Sequence, residues 1–76
     1  MELKQAIATR IEELLQEKNV SVEELAEKTQ LPENMLKNIL ACKYKKVELH
    51  RVFIIAYALG MSLQGFFEAP IFDNVT

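Results

Sequence analysis

Apolar residues recur at helical spacing along most of this chain, and nowhere do they alternate with polar ones over a useful length. Leu3, Ile7, Ile11, Leu14 and Leu15 follow one another at helical intervals, which predicts a helix with one apolar face from Leu3 to about Lys18. Asn19 tolerates the left-handed backbone that commonly ends a helix. Ser21, with Glu24 three positions on, forms a capping box, and Val20 and Leu25 flank it as a hydrophobic staple, so a second helix is expected from Val22 to about Lys28. Thr29, Gln30 and Leu31 lead to Pro32, which disfavours helical geometry in the residue before it and suits the first position of a new helix. The stretch "PENMLKNILACK" then predicts a third helix running to about Cys42, with Met35, Leu36, Ile39 and Leu40 inward and Glu33, Asn34, Lys37, Asn38 and Ala41 outward. After the polar loop "KYKKV", Glu48 to Leu59 is apolar nearly all round, which predicts a fourth helix in the middle of the fold. Gly60 stops it, and Ser62 caps a short fifth helix through Phe67. Ala69 to Thr76 has a proline and no periodicity. The class is all-α.

At 76 residues the chain has room for a single small core. The reading divides it into a domain over residues 1–68 and a tail over 69–76. Half the residues are apolar and 26% are charged, a globular rather than a disordered balance. The longest apolar run, Val52 to Leu59, is far short of the ~20 residues a membrane span needs. No leader opens the chain and its one cysteine, Cys42, has no partner, so a cytoplasmic location is expected.

The net charge of −2 conceals an uneven distribution. Residues 1–36 carry four basic and eight acidic side chains, residues 37–51 five basic and one acidic, and residues 52–76 two acidic. A basic patch therefore lies between acidic segments, and phosphate binding responds to local charge because fields decay within a Debye length of ~8–10 Å.

Two short helices joined by about three residues, the second with a polar outward stripe, have the organisation of a helix-turn-helix. At ~1.5 Å per residue the third helix is about 15 Å long, which suits a major groove ~12 Å wide. Asparagine pairs bidentately with adenine, lysine donates to guanine acceptors and glutamate accepts from the cytosine amino group. Catalysis has no counterpart in the sequence: there is no glycine-rich phosphate loop and no cysteine, histidine and carboxylate arrangement to activate a nucleophile. Cys42 reads as a small hydrophobe and His50 as a solvated side chain, and the two are too few for a structural zinc. No cofactor or metal is expected.

From Ile7 to Phe67 the sequence resembles the phage-repressor and Cro type helix-turn-helix domain, a member of the XRE-like class. The resemblance is carried by "IATRIEELLQEKNVSVEELAEKTQLPENMLKNILACK" and "LHRVFIIAYALGMSLQGFF". It implies a compact five-helix, lambda-repressor-like fold with the helix-turn-helix at helices 2 and 3, acting on double-stranded DNA as a transcriptional regulator. Carried over by position, it implies base reading by Glu33, Asn34, Lys37 and Asn38, and contact with the DNA backbone by Lys43, Tyr44, Lys45 and Lys46. The chain departs from the family pattern at four places. Val22 stands where many members have a phosphate-bracing glutamine. Gln30 and Cys42 stand where glycines are frequent, and Pro32 replaces a serine or threonine cap.

Core packing accounts for most of the large apolar supply late in the chain, and a surplus remains. It leads to the expectation of a homodimer built through Phe66, Phe67, Ile71 and Phe72, which would set two recognition helices ~34 Å apart on one face of DNA. The expected function is thus a sequence-specific, repressor-like regulator without a small-molecule effector. The rival reading keeps the fold as a protein-interaction module, antitoxin-like or a subunit of a complex, with weak or no DNA binding.

Overall fold

A computed structural model describes residues 1–75 as five α-helices, α1 (Leu3–Lys18), α2 (Val22–Thr29), α3 (Glu33–Leu40), α4 (Leu49–Ala58) and α5 (Leu63–Phe67), followed by a 3-10 turn over Pro70–Asn74. Thr76, the end of the expected tail, lies outside the described residues. There is no strand among the described residues, so the all-α expectation holds.

The helix ends follow from local chemistry. Ser21 caps α2 through a hydrogen bond from the Glu24 amide to its Oγ at 3.1 Å, and Glu24 Oε1 accepts from the Ser21 amide at 3.4 Å. Ser62 caps α5 in the same manner, accepting from the Gly65 amide at 3.0 Å. At the other ends, Asn19, Gln30, Cys42 and Gly60 all take positive φ, between 55° and 78°. This left-handed step turns the next amides back onto the orphan carbonyls of the last helical turn. Thus Val20 donates to the Leu15 carbonyl, Lys43 to Asn38 and Met61 to Ala56.

α1 packs against α3 and the 3-10 turn, α2 against α3 and α4, and α4 against α5. Ile7, Ile11, Leu14 and Leu15 of α1 meet Leu25, Leu36, Ile39, Val52, Ile55, Ala56, Leu59 and Phe66 in one core. Arg10 ties the last helix to the first: its Nε donates to the Phe66 carbonyl at 3.0 Å and its Nη2 to that of Gly65 at 3.4 Å.

Three expectations are corrected. α3 ends at Leu40 rather than near Cys42, because Cys42 has φ 57° and belongs to the cap. α4 is not enclosed: Val52, Ile55 and Ala56 are buried, but Leu49, Phe53 and Tyr57 are 59%, 50% and 76% exposed. Phe66 does not lie at the surface, as its expected place in a dimer contact requires. Phe66 is completely buried and has no surface to offer a second copy. Phe67 and Phe72, both half-buried, stack at centroid distances of 4.8 Å from each other and 5.1 and 5.9 Å from Phe66. Ile71, also half-buried, belongs to the 3-10 turn that packs on α1.

Candidate nucleic-acid interface

The turn between α2 and α3 is held by side chains that bond backbone. The Thr29 hydroxyl donates to the Leu25 carbonyl at 2.8 Å and accepts from the Leu31 amide at 3.2 Å. Gln30, in the left-handed position, donates its side-chain amide to the Glu27 carbonyl at 2.8 Å, satisfying one more of the terminal carbonyls of α2. Pro32, with φ −59°, occupies the cap position just before α3 rather than its first turn, and the Leu36 amide donates to its carbonyl at 3.2 Å.

α3 buries Leu36 and Ile39 against the core and packs Met35 and Leu40 on its flanks. That anchoring fixes the opposite face. Asn34 and Lys37 are exposed on it, and Glu33 and Asn38 are half-exposed beside them. All four residues assigned to base reading thus share one helical stripe. Glu33 and Lys37 are bonded to each other, Oε2 to Nζ at 2.9 Å across one turn. The hydrogen bond to Glu33, the charge of that carboxylate and the more distant charge of Glu23 raise the pKa of Lys37 above its ordinary value.

The loop after α3 presents Lys43, Lys45 and Lys46 to solvent, while Tyr44 turns inward and packs against the core. Tyr44 is therefore mainly the anchor of the loop, and the three lysines are its charged edge. Lys45 and Lys46 line a cleft of about 270 Å³ with Glu2, Leu3, Lys4, Ile7 and Val47. Lys4 thereby joins the basic patch from the far end of α1, paired loosely with Glu2 at 3.8 Å. The long separation along the chain hid Lys4 from the sequence reading. Arg51, in the first turn of α4, lies 3.4 Å from Glu48, whose other oxygen is 3.6 Å from His50 Nδ1.

On the other side of α3 the sign reverses. Glu23, Glu27 and Glu33 line an open groove at the helix-helix turn together with Ala26, Gln30, Leu31 and Pro32. The exposed face of α3 is thus a polar stripe with cations in the loop after it and carboxylates around its start.

Helices α2 and α3, their turn and the outward stripe define a helix-turn-helix DNA-binding domain. The model of the Cro/C1-type HTH DNA-binding domain matches residues 10–70, most of the chain, and the protein belongs to that family. Neither the curated proteins nor the solved structures gave a match.

Proposed function

We propose that this chain is a sequence-specific transcriptional regulator of repressor type, working in the cytoplasm as a homodimer on a two-fold-symmetric DNA site. The observation that carries the reading is the α3 stripe: Asn34 and Lys37 stand exposed on a short helix whose opposite face is locked into the core by Leu36 and Ile39. A rigid helix presenting amide and ammonium groups matches the acceptors and donors of the major-groove edge. Asn34, Lys37, Glu33 and Asn38 read bases, and Lys43, Lys45 and Lys46, joined by Lys4, hold phosphates without reading sequence.

The dimer contact is assigned to the outer face of α4 rather than to the tail. Leu49, Phe53 and Tyr57 recur every fourth residue there and are all at least half exposed. Phe53 and Tyr57 continue into a groove with Gly60, Met61, Ser62 and Leu63. No charged residue occurs from Val52 to Phe67, the stretch that holds Phe53, Tyr57 and the groove, although Leu49 at its edge neighbours Glu48, His50 and Arg51. A second copy is the partner this face suits, because an isologous contact sets each patch against itself and an uncharged patch does so without repulsion.

One observation favours the interaction-module alternative. The carboxylates of Glu23, Glu27 and Glu33 beside α3 repel phosphate and would suit a basic protein partner. The test is selection from the genomic DNA of the source at moderate and at low salt. An enriched two-fold motif supports the regulator, and absence of enrichment at both salts makes the protein-partner reading the better one.

A further inference from the structure

The contact between Glu33 and Lys37 has a chemical counterpart in DNA. In a C·G base pair the cytosine N4 amino group and the guanine O6 lie side by side on the major-groove edge, joined by an N–H···O hydrogen bond of about 2.9 Å. Glu33 Oε2 and Lys37 Nζ are 2.9 Å apart. One pair is donor and acceptor, the other acceptor and donor, at the same spacing. Resting on the DNA-reading function above, we propose that Glu33 and Lys37 act as one unit that reads a single C·G base pair, the carboxylate accepting from cytosine N4 and the ammonium donating to guanine O6.

Three physical points favour the pair over two independent readers. Glu33 opens the first turn of α3 and Lys37 stands in its last, but their 2.9 Å contact draws the ammonium back beside Glu33, toward the end of the helix that approaches base edges in helix-turn-helix docking. Removing water from a lone carboxylate or ammonium is costly, and a pair that enters the groove intact keeps each charge compensated. Each group also has capacity to spare: a carboxylate has a second oxygen, and an ammonium has three hydrogens of which Glu33 uses one.

The same chemistry selects C·G over A·T. An A·T pair also sets a donor, adenine N6, beside an acceptor, thymine O4. There, however, the adenine N7 lone pair flanks the donor and would face the carboxylate, and the thymine methyl flanks the acceptor. In C·G the flank of O6 is guanine N7, a second acceptor for the ammonium. The order of the two charges along α3 fixes which strand carries the cytosine.

The experiment is selection from a randomised duplex library, read by sequencing, with the wild-type chain, Glu33→Ala, Lys37→Ala, and the double exchange Glu33→Lys with Lys37→Glu. The wild type should enrich a half-site with one dominant C·G position. Each single variant should lose about ten-fold of its preference at that same position and leave the others intact, in the range of one bidentate base contact. The double exchange should invert the position to G·C. Single variants that relax two different positions, or a double exchange that leaves the position unchanged, would overturn the inference while leaving the DNA-binding reading in place. Failure of the wild type to enrich any motif would overturn the DNA-binding reading and this inference with it.

Discussion

Arg10 Nε and the carbonyl oxygen of Phe66 lie 3.0 Å apart, and the Arg10 guanidinium carbon sits 5.9 Å from the centroid of the Phe66 ring. One side chain of the first helix thus holds the last helix both by a charge-assisted hydrogen bond and by a cation-π contact. α5 has only five residues and leaves carbonyls at its end that no residue of its own helix can satisfy. Arg10→Met, which keeps the apolar stem, should cost about 1.5–3 kcal/mol in urea unfolding, the range of a charged hydrogen bond. Arg10→Lys should recover less than half of the loss, because an ammonium lacks the planar fork that reaches two carbonyls.

Of the four left-handed helix ends, Gly60 is suited to its conformation and Gln30 is not. Gln30 has φ 60° and Gly60 φ 78°. A side chain in this region costs roughly 1–2 kcal/mol, offset in part by the greater freedom of glycine in the unfolded chain. Gln30→Gly should therefore stabilise the domain by about 0.5–1 kcal/mol, less whatever its bond to the Glu27 carbonyl contributes. Gly60→Ala should destabilise it by a similar amount. A Cβ at Gly60 would meet nothing within 4 Å, so the loss there is backbone conformation alone. Thermal denaturation resolves both signs, since about 1 kcal/mol moves Tm by roughly 4–8 °C in a domain of this size.

These same positions indicate what a single sequence makes legible. The capping box at Ser21 and Glu24, the stops at Asn19 and Gly60 and the inward face of α3 are local, and spacing alone reveals them. The end of α3 at Leu40 is not legible in the same way, because cysteine as a residue type carries no signal for the left-handed cap that Cys42 forms. Phe53 and Phe66 are both aromatic in an apolar stretch, yet one is half exposed and the other is sealed in the core; residue type does not distinguish them, and packing does. The site divides the same way. The α3 stripe could be read from periodicity. The place of Lys4 beside Lys45 and Lys46 could not, because chain folding alone brings it there. The spacing of one turn between Glu33 and Lys37 permits a bond, but spacing alone does not distinguish a bonded pair from two separate readers.

Lys37 also carries a pH dependence with a definite sign. The Glu33 hydrogen bond and charge raise its pKa in the folded chain above the unfolded value of 10.5. The stabilisation from this pair is therefore fully present below the unfolded pKa and is lost as pH rises through the higher folded one. In a proton-detected titration of the lysine ammonium groups, Lys37 should titrate above the position it takes in Glu33→Gln. Identical titration in the two proteins would mean that the pair does not persist in solution.

The dimer proposal moves the contact from the fifth helix and tail, where the sequence leads one to expect it, to the outer face of α4. Tyr57→Glu or Phe53→Glu places a carboxylate on an exposed, uncharged surface, so each chain should keep its fold and sediment as a monomer. Operator affinity should fall together with dimerisation. Phe72→Ala removes a half-buried ring packed on Phe66 and Phe67, and should cost about 2 kcal/mol of stability, below the ~3–5 kcal/mol of a fully buried aromatic, with no change in oligomeric state below the unfolding transition. If Phe72→Ala dissociates the dimer and Tyr57→Glu does not, the contact lies on the tail after all.

Phosphate anchoring should be visible in salt dependence rather than in sequence preference. Each lysine that neutralises a phosphate releases condensed counterions, so its loss flattens the slope of log affinity against log salt by about one. Lys45→Ala and Lys46→Ala should each produce that change and weaken binding equally on matched and unmatched duplexes. Lys4→Ala provides the sharper test, because its part in the patch follows only from the cleft it shares with them. A flattened slope places the start of α1 against the DNA backbone. An unchanged slope would confine the phosphate contacts to the loop and leave Lys4 to its pairing with Glu2.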